Sequence, residues 1–135
     1  MSDASGAIPD TKGKILVIDD SELVLELTRD SLEEAGYEVL TNSSWMEVNA
    51  TIREHRPDMI LLDLMMPSMK GESLCEILKK SSFGRSIPII IFSTKEEAEI
   101  QRLAEEAGAD GYIVKRMNRR DIVESVDHFY DKFCR

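Results

Sequence analysis

The chain reads as an α/β domain, a doubly wound five-stranded parallel sheet made of five strand–helix units. Three observations predict this. Apolar runs such as Ile15–Ile18, Met59–Leu62 and Ile87–Phe92 are short and continuous, as suits strands covered on both faces. Amphipathic helical stretches separate them. Capping and breaking residues fall at the joins, among them Ser21, Gly36, Pro57, Gly108 and Asn118.

The elements follow in order. Lys14–Asp19 is the first strand. Ser21 caps a helix from about Glu22 that stops at Gly36. Tyr37–Thr41 is a second, weaker strand. Ser44 and Glu47 have capping-box spacing and open a helix that ends before Pro57. Asp58–Asp63 is the third strand. The loop Leu64–Lys70 carries Pro67, and the third helix runs from about Glu72 to Lys80. Ile87–Phe92 is the fourth strand, after the loop Ser81–Ser86. Thr94 and Glu97 repeat the capping-box spacing. Ile100, Leu103, Ala104 and Ala107 then form one helical stripe closed by Gly108. Tyr112–Lys115 is the fifth strand. Asn118 caps the last helix, with Ile122, Val126, Phe129 and Phe133 facing inward.

Right-handed crossovers between such units give a sheet with helices on both faces. A strand order of 2-1-3-4-5 puts the switch point between the first and third strands, where ligands bind beyond the carboxyl ends. Those strands end in Asp19-Asp20 and Asp63. The fourth ends in Ser93 and the fifth in Lys115. Three carboxylates, a hydroxyl and an ammonium are thus expected at one edge.

Composition narrows the function classes. At 135 residues the chain is the size of one domain, residues 14–135, after a flexible lead-in over 1–13 containing Gly6, Pro9 and Gly13. Hydrophobic content of 42% supports a packed core despite 32% charged residues. A net charge of -9 argues against direct nucleic-acid binding. Arg116, Arg119 and Arg120 form one basic cluster, read as a solvated face at a helix start. Cys75 and Cys134 lack metal-type spacing, and a secreted domain of this size would carry more cysteines. Residues 1–13 have no apolar centre, and no run approaches the roughly 20 residues that span a bilayer. A soluble, cytoplasmic protein without membrane insertion is expected.

Crowded carboxylates repel one another, and a proton or a cation must relieve them. Oxygen-only ligands suit Mg²⁺, with Mn²⁺ as a substitute. Zinc is disfavoured, because neither His nor Cys lies in these segments. A carboxylate-bound metal would neutralise an incoming phosphoryl group, and a positioned Asp can take that group as an aspartyl phosphate. Lys115 would pair with a phosphoryl oxygen and Ser93 would donate a hydrogen bond. Singly, each residue has a plainer reading. An Asp after a strand is often a helix cap, Ser93 a cap for the fourth helix, Tyr112 a half-buried strand aromatic and Lys115 a surface lysine. It is the set in register that points to chemistry.

These residues resemble the receiver domains of two-component response regulators, which have a flavodoxin-like fold. The resemblance rests on Asp19-Asp20, on Asp63 within Leu61-Leu62-Asp63-Leu64-Met65-Met66-Pro67, and on Gly71, Ser93 and Gly111-Tyr112-Ile113-Val114-Lys115. It covers nearly all of the chain after Gly13. It implies that Asp63 accepts a phosphoryl group from a histidine kinase or phosphotransfer protein. It further implies Mg²⁺ held by Asp19, Asp20, Asp63 and the backbone carbonyl of Met65. Ser93 and Tyr112 would move as the switch. The face of helix 4, strand 5 and helix 5 would then change its preference for a downstream protein target. The chain would act as a monomer or a phosphorylation-linked dimer. It would be a phosphoacceptor assisting its own phosphotransfer and dephosphorylation, not an enzyme in the usual sense.

Two positions depart from the family pattern. Arg116 follows the lysine where Pro, often after a cis bond, is usual. A cis bond without Pro costs about 3–4 kcal/mol, so a trans link is expected, with room for Lys115 or helix 5 to sit differently. Met65 stands two residues past Asp63, where its thioether cannot orient an attacking water. Dephosphorylation is therefore not expected to be fast. Two other readings stand beside the switch. A phosphorylation-independent interaction module would follow if the Lys115-Arg116 loop disabled it. A phosphatase with an aspartyl nucleophile would commonly carry a second Asp where Met65 lies. His55 and His128 are expected to be solvated or packing residues. Met65, Met66 and Met69 are expected to fill loop gaps, and Trp45 to be half exposed.

Overall fold

The computed structural model describes residues 11–66, 71–82 and 84–135. The expected lead-in over 1–13 and the loop with Pro67 and Met69 lie largely outside the described residues. Strand β1 (Lys14–Ile18) leads to helix α1 (Glu22–Glu34), then β2 (Glu38–Asn42). A 3-10 turn (Trp45–Glu47) precedes α2 (Val48–His55) and β3 (Met59–Leu62). Next come α3 (Gly71–Lys80), β4 (Ile89–Ser93) and α4 (Glu97–Ala107). Strand β5 (Gly111–Val114) and α5 (Arg119–Cys134) close the domain.

All strand pairs are parallel, and the order is β2-β1-β3-β4-β5. Alternate strand residues feed two apolar layers. Leu16, Ile18, Ile60, Leu62, Ile89 and Ile91 pack with α2, α3 and α4. Ile15, Val17, Met59, Leu61, Ile90 and Phe92 pack with α1 and α5. This is the both-faces burial that the apolar runs predict.

Several joins hold as expected. The Ser21 side chain accepts the Val24 N–H at 3.2 Å, and Asn118 accepts the Asp121 N–H at 2.9 Å. Gly36 and Gly108 take positive φ of 107° and 77°, the left-handed region where a Cβ is unwelcome. Before Pro57, Arg56 ends α2 with φ of 48°.

Three expectations need correction. Thr94 does not cap α4; its N-cap residue is Glu96, which makes no side-chain cap bond. Ser44 caps the 3-10 turn through the Met46 N–H at 3.2 Å, so the true α2 starts at Val48. On α5 the inward residue of the last turns is Tyr130, 6% exposed, while Phe133 is 37% exposed. Ile122, Val126 and Tyr130 recur every four residues, and that stripe outruns the one ending at Phe133. The Tyr130 hydroxyl also gains a partner, Asp58 Oδ2 at 3.4 Å.

Candidate functional site

The site is built by strand ends that finish level. Ile18 pairs with Leu62 across β1 and β3, so the next residues, Asp19 and Asp63, emerge side by side. The Asp63 N–H donates to the Ile18 carbonyl at 2.9 Å, and the Asp19 N–H to the Asn42 carbonyl at 3.1 Å. Asp19 and Asp63 are buried, and Asp20 is exposed. One oxygen from each of the three carboxylates lies within 4.8 Å of the others. No other group of metal-ligating side chains of this kind occurs among the described residues.

The fifth strand brings the cation. The Lys115 N–H donates to the Ser93 carbonyl at 2.6 Å, which extends the β4–β5 ladder past Val114. The Lys115 ammonium is buried, 2.7 Å from Asp19 Oδ2 and 3.4 Å from Asp63 Oδ1. It also lies 5.2 Å from the centre of the Phe92 ring. Asp19 Oδ1 accepts the Ser21 N–H at 2.9 Å, so both of its oxygens are engaged. Asp63 is less well compensated. Burial pushes its pKa above the usual carboxylate value, and the charge of Asp19 pushes the same way. Lys115 and a hydrogen bond from the Met65 backbone N–H oppose this but do not cancel it.

Ser93 is buried at the end of β4, and its hydroxyl oxygen accepts the Lys95 N–H at 3.2 Å. Tyr112 points outward from β5, where its hydroxyl donates to Glu97 Oε2 at 2.9 Å. The Met65 side chain is 59% exposed beside Asp63, and Met66 is buried in the core. Among the described residues no peptide bond is cis, so Lys115–Arg116 is trans. Lys115 reaches both buried carboxylates without a proline after it.

The donor set fits a hard divalent cation. It offers oxygen only, gathers three acids on one edge and supplies one buried ammonium against them. It also fits a tetrahedral anion, since Lys115 and Ser93 carry donors at the same edge. Glu97 is the residue whose part in this arrangement sequence reasoning missed, because its spacing from Thr94 assigned it to a helix cap. The signal was there in the topology, which sets the first turn of the fourth helix beside the fifth strand. His55 is exposed; His128 is exposed and packs edge-on against Phe129 at 4.9 Å. Neither touches the carboxylates. Both cysteines are free thiols, and burial pushes the Cys75 pKa to about 12.

Residues 15–127 match the family described as response regulator receiver domain. The chain belongs to that family. It is 38% identical over 109 residues to the phosphate regulon transcriptional regulatory protein PhoB of Pseudomonas aeruginosa, covering 81% of this chain and 48% of that one. It is 35% identical over 109 residues to the alkaline phosphatase synthesis transcriptional regulatory protein PhoP of Bacillus subtilis, covering 81% and 45%. The receiver domain thus spans about half the length of the curated relatives it matches. Among solved structures, chemotaxis response regulator CheY4 of Vibrio cholerae superimposes with a TM-score of 0.79 at 29% identity, covering 87% of this chain and 98% of that one. A response regulator from Chloroflexus aurantiacus gives 0.80 at 26% identity, covering 88% and 98%. No helix among the described residues is long and apolar enough to cross a membrane.

Proposed function

We propose that this receiver domain is a phosphorylation-dependent switch of a two-component system, acting in the cytoplasm with Asp63 as the phosphoacceptor. The observation that carries the reading is the placement of Asp63: buried, level with Asp19, under-compensated in charge and within reach of Lys115. A carboxylate so placed is disposed to react with an electrophile that brings its own counter-cation.

Asp19, Asp20 and Asp63, with the backbone carbonyl of Met65, would hold Mg²⁺, and Mn²⁺ would substitute. When bound, the ion would offset the negative charge that three carboxylates and a phosphoryl group accumulate. The donor is a phosphohistidine of a histidine kinase or phosphotransfer protein. An oxygen of Asp63 forms the new bond to phosphorus as the phosphorus–nitrogen bond breaks, and the electron pair stays with the imidazole. The Lys115 ammonium, already in contact with both buried carboxylates, turns to a phosphoryl oxygen. Ser93 gives up the Lys95 N–H and donates its hydroxyl proton to another phosphoryl oxygen. Tyr112 moves inward, and the surface of α4, β5 and α5 changes shape for a downstream protein target. This is a local charge event that biases a two-state element. The domain acts as phosphoacceptor and assists its own phosphotransfer without being a turnover enzyme.

Incubation with acetyl phosphate and Mg²⁺, followed by intact mass, tests the reading. One phosphoryl adduct that requires the ion and is absent from Asp63→Asn supports it. No adduct on a folded protein overturns it, and favours an interaction module that signals without phosphorylation.

A further inference from the structure

Helix α4 starts without a side-chain cap, and two side-chain contacts flank its start. At one end of the passage from β4, Ser93 Oγ accepts the Lys95 N–H at 3.2 Å. At the other, the Glu97 carboxylate accepts the Tyr112 hydroxyl at 2.9 Å. Ser93 thus bonds Lys95 and Tyr112 bonds Glu97, two residues further along the same segment. That segment has neither a side-chain cap on its helix nor burial of Glu96 and Glu97 to stiffen it.

Tyr112 has reason to move. Its ring lies at the margin of the apolar layer under α4, alongside Leu103 and Val114. Burial of a tyrosine ring is favourable once its hydroxyl is satisfied. Outward, the ring instead walls a groove of about 490 Å³ between α4, β5 and α5, lined by Glu97, Val114, Arg116, Glu124 and Phe129. Among the described residues the hydroxyl's hydrogen-bond partner there is Glu97, and a charged acceptor makes the stronger bond.

We propose that Glu97 is a positioning residue, a carboxylate latch that holds Tyr112 outward in the resting protein and lets go when Ser93 releases the segment between them. The proposal rests on the switch reading above and names the residue that sets its resting state. When Ser93 turns its hydroxyl toward a phosphoryl group, the Lys95 N–H loses its acceptor and the α4 start loosens. Glu97 then moves with it and frees the ring. A ligand at one end shifts the population at the other because both act on the same segment.

Fluorotyrosine labelling tests this directly. Tyr112 is assigned among the three tyrosines with Tyr112→Phe, and its exposure is read from the fluorine H₂O/D₂O isotope shift in the unphosphorylated protein. Glu97→Ala should lower that shift by about half or more, as ring and solvent part company. Glu97→Gln keeps an acceptor oxygen and should stay near the parent value. Glu97→Ala should also speed phosphorylation by acetyl phosphate several-fold, and that gain should vanish in the Tyr112→Phe background. An isotope shift unchanged in Glu97→Ala overturns the latch, as does a rate gain that survives without the Tyr112 hydroxyl. Glu97 is exposed in a first helical turn, so both variants keep the fold. The isotope shift decides the latch even if Asp63 takes no phosphoryl group, which keeps its failure distinct from failure of the switch reading.

Discussion

Lys115 sits closer to Asp19 than to Asp63: its ammonium is 2.7 Å from one carboxylate and 3.4 Å from the other. In the resting state the strand-5 cation is therefore committed mainly to the acid at the end of β1. Asp63, the proposed phosphoacceptor, is left with the weaker share. All three side chains are 7% exposed or less, so the attraction is little screened by solvent.

Removing that cation should cost stability as well as chemistry. Lys115→Met leaves two buried carboxylates without their shared partner. In metal-free buffer we expect a loss of about 3 kcal/mol in urea unfolding, the usual penalty for stripping one member from a buried ion pair. Added Mg²⁺ should recover part of it. A variant as stable as the parent would mean that the ammonium does not carry the charge balance assigned to it.

Asp63 should be a liability to the empty fold. Its folded pKa is raised, chiefly by burial, so folding disfavours its ionised form. For such a group the stabilising contribution is present below the ordinary pKa and is lost as pH rises through the folded value. At neutral pH the ionised carboxylate therefore works against the fold. Asp63→Asn should stabilise the metal-free protein at neutral pH by about 1 kcal/mol, the usual scale of a single favourable change. The gain should fade as pH falls through the raised folded pKa, where the parent Asp63 takes up its proton. Thermal melts of both proteins across pH measure this, and destabilisation by Asn at neutral pH would contradict it.

Asp20 separates metal binding from folding. It is exposed, so Asp20→Asn should leave the metal-free melting temperature unchanged. Mg²⁺ should raise the melting temperature of the parent, by about 2.7 kcal/mol equivalent at a hundred times its dissociation constant. The variant should lose most of that response. An equal response in the variant would remove Asp20 from the ion's ligands.

Both the fold and the carboxylate cluster were legible in the sequence for the same reason. A parallel strand covered on both faces must be apolar throughout, so the first polar residue after it marks its end. Asp19, Asp63, Ser93 and Lys115 each announce a strand end in this way. What spacing did not reveal depends on neighbours distant in the chain. Tyr130 displaces Phe133 from the core because its hydroxyl finds Asp58, 72 residues away, and its ring meets Tyr37 edge-on at 5.4 Å. Glu97 looks like the end of a capping box until β5 is laid beside α4. Arg116 suggested a displaced Lys115, yet the ladder bond from Lys115 to Ser93 fixes that backbone whatever follows it.

Met65 bears on the lifetime of the modified state. Its backbone N–H bonds Asp63, and its side chain stands exposed beside it with no group able to orient water. We expect the aspartyl phosphate to outlast seconds at saturating Mg²⁺, and Met65→Asn to shorten its life several-fold. Decay followed by intact mass checks both. A parent half-life of seconds would sink this account of Met65.

The central claim is that Asp63 itself carries the phosphoryl group. Borohydride reduction of the phosphorylated protein, followed by peptide mass mapping, tests it most directly, because reduction turns an aspartyl phosphate into homoserine and marks its position. The account predicts homoserine at position 63, dependent on Mg²⁺ during phosphorylation. Reduction at another residue, or an intact Asp63 in a folded protein fully exposed to the donor, would contradict it.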